Sequence, residues 1–218
     1  MKNPYADPNS YSSKFRRKRF ELVQKLIEDI LAKKGSCRIA DIGGEEDYWQ
    51  YGSDLIANND VEIHLFNLFE KPTTNPKMKS LKGDATDLGD LDDMSYDLVH
   101  SNSVIEHVGN WRNIEKMATN CRRLAPKYYV QTPYFWFPYE PHFRAVGFQW
   151  LPEQFRMRLV INMKLGFFQQ QSDVASAMDV VQSCYLLDDR QFKSCFPDAE
   201  FKYERAFGLT KSLIAIRE

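Results

Sequence analysis

The 218-residue chain sets 29 Lys plus Arg against 30 Asp plus Glu, a formal net charge of -1, with 43% hydrophobic and 27% charged residues. That composition excludes a wholly disordered chain and supplies a substantial core. Without a basic excess, general nucleic-acid binding through phosphate neutralisation is not expected. No apolar run reaches the roughly 18 residues of a membrane span. The opening Met1-Lys-Asn-Pro-Tyr-Ala-Asp-Pro8 has no apolar signal core, so a cytoplasmic protein is expected. Cys37, Cys121, Cys184 and Cys195 form no CxxC pair and read as free thiols in a reducing compartment.

No internal repeat or low-complexity stretch is present, and residues 1–13, rich in Pro, Asn and Ser, read as frayed. From Lys14 to Lys34 the spacing of Phe20, Val23, Leu26, Ile27, Ile30 and Leu31 predicts a helix stopped by Gly35. Its opening run Arg16-Arg17-Lys18-Arg19 reads as a solvated face. Cys37 to Gly44 is a buried strand ending in a glycine turn. Glu45 to Asn58 can form a helix, and Val61 to Phe66 is a second strand. Met78 to Lys82 and Tyr96 to Ser101 follow as third and fourth strands. A helix then carries Ile114, Met117, Ala118, Cys121 and Leu124, before a fifth strand at Tyr128 to Thr132. Alternating strands and helices predict an open parallel sheet covered on both faces.

Leu187 to Phe196 predicts one more helix, after which Glu200–Phe207 and Thr210–Ile216 are strands joined through Gly208. So short a link permits a hairpin and no helical crossover. The expected fold is therefore α/β, a Rossmann-like, doubly wound, mostly parallel seven-stranded sheet. Its last strand is antiparallel, and a lid is inserted between strands five and six. Residues 1–218 read as a single domain, with an N-terminal helical extension over 1–35. The insertion over 134–185 fits none of the alternating units and is expected to set substrate specificity.

The strongest local signal is Asp41-Ile-Gly43-Gly44 at the end of the first strand. Ligands in open parallel sheets bind beyond the carboxyl ends of the strands, where glycine permits close approach. Asn67 ends the second strand, Gly83-Asp84-Ala85 follows the third, and Tyr96-Asp-Leu-Val-His-Ser-Asn-Ser-Val-Ile-Glu-His107 runs through the fourth. Together, residues 36–132 resemble the class I S-adenosylmethionine-dependent methyltransferases, most closely the type 11 group. The resemblance implies S-adenosyl-L-methionine as cofactor. Gly43 and Gly44 would border its methionine portion, with Asp41 shaping the loop. Asn67 would meet the ribose, Asp84 the adenine amine, and the Ala85 amide a ring nitrogen. Ser101 and Asn102 would line the pocket beneath the methionine.

The chain departs from the family pattern in two respects. Glu45 and Asp47 stand where further glycines are common, and Asn67 replaces a charged acceptor for the ribose hydroxyls. A neutral amide can still accept one hydroxyl hydrogen bond and donate another. A dinucleotide reading is weaker, because Glu45, Glu46 and Asp47 load the following helix terminus with negative charge and would repel a pyrophosphate.

In the insertion, nine of the 22 residues from Tyr134 to Phe155 are aromatic. The plain reading is a local core, and the functional one an aromatic wall around an acceptor, with most rings packed and a few facing substrate. Weak membrane-surface contact, aided by Arg156, Arg158 and Lys164, ranks third. Bacterial type 11 relatives carry a similar Thr-Pro, Trp-Phe-Pro, Glu-Pro-His pattern, matched here at Thr132-Pro133, Trp136-Phe-Pro138 and Glu140-Pro-His142. Some are associated with cell-surface sugars or other small acceptors. Trp136, Tyr139 and Glu140 are therefore the expected substrate-side residues.

The histidines His64, His100, His107 and His142 show no zinc-ligand spacing, and no metal is expected. Ser101 and Ser103 lack a nucleophile-elbow sequence. If the acceptor is a hydroxyl, a histidine base suits it, since its ordinary pKa of about 6.5 lies near neutrality. His142 is the favoured catalytic base, with Glu140 facing the same cavity if the segment is extended. His107, just inside the helix after strand four, is the second candidate. The expected function is in-line methyl transfer to a small or sugar-like acceptor, with oxygen the expected atom. The alternative is an inactive methyltransferase-like binding or scaffold module. A small-molecule partner is expected, and no nucleic acid.

Overall fold

The computed structural model describes residues 11–218. The frayed segment expected at the N-terminus falls largely outside them. Two compact units divide the chain. The first runs up to Asn102 and adds Thr119–Val130 and Ile216–Glu218; the second holds Ser103–Ala118 and Gln131–Ala215.

Helix α1 (Tyr11–Lys34) buries Phe20, Val23, Leu26, Ile27 and Ile30 along one stripe, as their spacing predicts. Gly35 ends it with φ +76°, a conformation that costs glycine no Cβ clash, and its N–H donates to the Leu31 carbonyl at 2.8 Å. One expectation for α1 fails. Arg19 is buried rather than solvated, and its Nη1 donates to Asn102 Oδ1 at 2.9 Å.

Strands β1 (Ser36–Ile42), β2 (Asp60–Asn67), β3 (Met78–Lys82), β4 (Leu98–Asn102) and β5 (Lys127–Pro133) follow the predicted order. β1 pairs in parallel with β2, Ile39 opposite Ile63, and with β4, Ala40 opposite Val99; β2 pairs in parallel with β3. Near the C-terminus, β8 (Glu200–Ala206) turns into β9 (Leu209–Arg217) through Phe207 and Gly208. Both turn residues have positive φ, 52° and 81°, the signature of a two-residue primed hairpin. The strand order is β3-β2-β1-β4-β5-β9-β8, a mostly parallel sheet with an antiparallel strand at its end.

The helix expected over Glu45–Asn58 is tighter than predicted. Glu46–Gly52 winds as a 3₁₀ helix, and only α2 (Ser53–Asn58) is α-helical. A Cβ on Gly52 would lie 2.2 Å from the Phe20 ring, so this turn approaches α1 at glycine distance while Tyr48 and Trp49 enter the core. Helix α3 (Trp111–Leu124) buries the five predicted apolar positions. Its end is closed by Arg217, whose guanidinium donates to the carbonyls of Arg122, Ala125 and Pro126 and lies over the Tyr128 ring.

In the second unit, β6 (Tyr139–Glu140) and β7 (Ala145–Val146) form a two-residue hairpin, followed by α4 (Glu153–Asn162), α5 (Val174–Gln182) and α6 (Asp189–Cys195). Phe143 stacks on Phe148 with centroids 4.0 Å apart, and Val160, Ala177 and Val181 complete a local core. The aromatic excess of the insertion is thus partly structural. Phe143→Ala is expected to destabilise the protein by about 3–5 kcal/mol, read by urea unfolding. A loss near zero would mean that this ring is not packed.

Candidate active site

Asp41 ends β1 as a fully buried carboxylate, and burial without partners would be costly. Both oxygens are taken. Trp49 Nε1 donates to Oδ2 at 2.7 Å, and His100 Nδ1 lies 2.7 Å from Oδ1. The His100 ring is stacked between Tyr48 and Tyr129, with centroids at 4.7 and 5.5 Å. The carboxylate in turn dictates Gly44, where a Cβ would lie 1.7 Å from Asp41 Oδ2. Gly43 takes φ +74° and donates its N–H to the Phe66 carbonyl at 2.7 Å. Asp41 thus lies against the loop at Gly44.

Asn67 explains its own departure from the family pattern. Its Nδ2 donates to the Gly44 carbonyl at 2.8 Å, which leaves Oδ1 as an acceptor. A carboxylate there would face a carbonyl oxygen. Asp84 is exposed, and its Oδ1 accepts from both the N–H and the hydroxyl of Thr86 at 2.8 Å. Asn120 holds the Ala85 carbonyl at 2.9 Å. Ser101 is buried and donates to the Ile42 carbonyl at 3.0 Å, so its hydroxyl ties β4 to β1. Asn102 is held by Arg19, a link the sequence does not reveal because 83 residues separate them. Glu45 pairs with Lys71, and Glu46 accepts from Thr74 and Asn75. These acidic residues anchor the loop before β3. Positions 43, 44, 67, 84, 85 and 102 all lie on segments at the carboxyl ends of β1 to β4, where ligands bind in such sheets.

The second unit gathers a different chemistry. His107 lies in a 3₁₀ turn (Ile105–His107) ahead of α3, not inside that helix. His142 occupies the turn between β6 and β7, so Glu140 reaches it by chain reversal rather than along an extended strand. Glu140 Oε1 is 2.7 Å from His142 Nδ1, and the Phe143 N–H donates to Oε2. His107 Nδ1 is 2.9 Å from the Ser183 carbonyl. The two Nε2 atoms meet at 3.1 Å. Burial opposes a charge on His142, but the hydrogen bond to Glu140 and the charges of Glu140 and Glu106 outweigh it, and its pKa is raised.

Two further residues join this cluster. Glu106 is buried, with Oε2 accepting from Thr132 at 2.9 Å and Oε1 without a partner among the described residues. Cys184 Sγ lies 3.3 Å from His142 Nδ1. Burial, reinforced by Glu106 and Glu140, pushes its thiol far up, so it stays protonated. His107, His142 and Cys184 bring donor atoms within 4.8 Å of one another, a set able to hold a metal ion. Their positions in sequence are too far apart for a spacing motif to show it.

A cavity of about 440 Å³ in this unit is lined by Trp136, Glu140, Cys184 and Arg156 among others. Of the three substrate-side expectations, Trp136 and Glu140 line it. Tyr139 is exposed on β6 and is not among its walls.

Residues 48–127 match the family model for a methyltransferase domain, the type 11 group. The match lies within residues 36–132, the stretch that resembles the class I S-adenosylmethionine-dependent methyltransferases. No curated protein matches the chain. Among solved structures, CurJ carbon methyltransferase superposes with a TM-score of 0.55 at 12% identity, covering 96% of this chain and 56% of that one. An S-adenosylmethionine-dependent methyltransferase from Methanosarcina mazei gives 0.51 at 9% identity, covering 84% and 92%. The citrinin polyketide synthase CMeT domain gives 0.51 at 11%, covering 89% and 51%. The chain thus spans little more than half of the CurJ and citrinin chains, and at these identities the likeness is one of fold.

The methyltransferase domain family uses S-adenosylmethionine as methyl donor. Asn67 Oδ1, left as an acceptor, fits a ribose hydroxyl of that group. Asn67→Asp is expected to weaken donor binding, because the loop loses its brace on Gly44. Isothermal titration with S-adenosylhomocysteine checks this, and tighter binding would show that the brace is dispensable.

Proposed function

We propose that the protein transfers a methyl group from S-adenosylmethionine to a hydroxyl of a small or sugar-like acceptor. In the first unit, Gly43 and Gly44 border the methionine portion, with Asp41 holding the loop. Asn67 accepts from the ribose, Asp84 from the adenine amine, and the Ala85 N–H meets a ring nitrogen, while Ser101 and Asn102 line the floor. In the second unit, residues 134–185 form the substrate side, where Trp136 and Glu140 shape acceptor recognition. The cytoplasm is the compartment that suits four free cysteines, three of them buried.

The observation that carries an oxygen acceptor is the chain Glu140–His142–His107. Each imidazole has its Nδ1 against an oxygen acceptor, so each neutral ring turns an Nε2 lone pair toward the other at 3.1 Å. A proton shared between them relieves that opposition. His142, its pKa raised beside Glu140 and Glu106, is therefore the base, with Glu140 orienting it and the Ser183 carbonyl orienting His107. When bound, the donor supplies a methyl carbon on a sulfonium that departs as a neutral thioether. An acceptor hydroxyl held by the second unit would give its proton to His142, with His107 sharing the charge, as its oxygen accepts the methyl group. Such a base contributes about 10²- to 10⁴-fold.

The active form is the unprotonated pair, so the rate of methyl transfer should rise with pH through an apparent pKa above the ordinary histidine value of about 6.5. Histidine Cε1–H NMR should place His142 above that value, and Glu140→Gln should lower it. Tritiated-methyl transfer to a panel of hydroxylated sugars should fall by about 10²-fold or more in His142→Ala. A full rate in both His142→Ala and His107→Ala would leave alignment as the whole of catalysis. Asp84→Ala should weaken donor binding about tenfold, and unchanged affinity would remove Asp84 from the site.

A further inference from the structure

Arg156, on α4, is the one strongly basic side chain among the walls of the cavity in the second unit. Its Nε is buried with no hydrogen-bond partner among the described residues, while the residue as a whole is half-buried. A buried guanidinium N–H is costly unless something answers it. The acidic residues of the same cavity do not. Glu140 gives one oxygen to His142 and the other to the Phe143 N–H. Asp188 caps α6, accepting from the Gln191 N–H at 2.8 Å. The charge of Arg156 is felt inside the cavity, where it draws the Cys184 thiol downward against burial.

A second wall atom is also orphaned. Gln149 donates its Nε2 to the carbonyls of Phe135 and Phe137, which fixes the amide, while its Oε1 is buried without a partner. A fixed fork of donors and a lone acceptor, set among the rings of Phe135, Trp136 and Tyr185, describe a complementary ligand. It carries an oxyanion for Arg156, a hydroxyl for Gln149, and apolar C–H faces for the rings.

We infer that Arg156 is the anion-recognising residue of the acceptor cavity, and that the acceptor is an acidic hydroxylated compound, a sugar bearing a carboxylate or a phosphate. This rests on the methyl-transfer reading for the word acceptor, but the cavity can be tested without any transfer. A bidentate contact from a guanidinium suits either oxyanion and anchors the ring, leaving a hydroxyl free to present to the base.

The test is calorimetric titration of the full chain with D-glucuronate, D-glucose 6-phosphate and D-glucose, first alone and then with S-adenosylhomocysteine present. At least one acidic sugar should bind about tenfold or more tightly than glucose, as loss of a charged hydrogen bond implies. The better acid identifies carboxylate or phosphate. Arg156→Met should remove the preference, and Arg156→Lys should restore part of it by charge without the fork. Circular dichroism and donor affinity establish that both variants fold. Equal binding of acid and neutral sugars, no binding of either acid, or a preference that survives in Arg156→Met would each overturn the inference. Donor binding without acid preference sinks this inference alone, whereas acid preference without donor binding sinks the methyl-transfer reading.

Discussion

The carboxylate of Asp41 is the constraint on which the first unit depends. A buried anion must be answered at both oxygens, and here Trp49 and His100 answer it from different elements. That demand draws the segment after β1 into a 3₁₀ turn tight enough to bring Trp49 back. It sets the His100 ring between two tyrosines, and it excludes any side chain at Gly44. The Gly44 carbonyl is then held by Asn67 at the end of β2. One acidic residue thus fixes a loop, a sheet register and the identity of three neighbours. These contacts brace the loop, and a preorganised site does not spend binding free energy on ordering itself.

The second unit applies the same rule to a different end. Both histidines have one nitrogen committed to an oxygen, and the leftover lone pairs converge. Such a pair suits a cation, and a proton is the cation that methyl transfer to a hydroxyl releases. The nearby carboxylates of Glu106 and Glu140 act in the same direction. Cys184, held as a neutral thiol, contributes packing to this cluster and no nucleophile.

Much of the fold is legible in the sequence because period changes are local. The helical stripe of α1, the five parallel strands and the short link between β8 and β9 all come from spacing within one segment. The 3₁₀ turn at Glu46–Gly52 is not legible, since it depends, besides the Trp49–Asp41 bond, on a long-range contact of Gly52 with Phe20. The site divides the same way. Asp41, Gly43 and Gly44 announce themselves as a motif, and His142 with Glu140 as a two-residue pair. The burial of Arg19, the approach of His107 to His142 and the place of Cys184 depend on segments far apart in the chain. No window of sequence contains them. Asn67 shows the intermediate case, an evident departure from a pattern whose reason, a donor needed for a carbonyl, appears only with the loop in place.

The central claim is that the first unit is built to hold the methyl donor, and isothermal titration of the full chain with S-adenosylhomocysteine tests it most directly. The account predicts one saturable site with a dissociation constant well below about 1 mM, that is, more than about 4 kcal/mol of binding free energy. The absence of saturable heat up to millimolar donor, in a protein folded by circular dichroism, would contradict it.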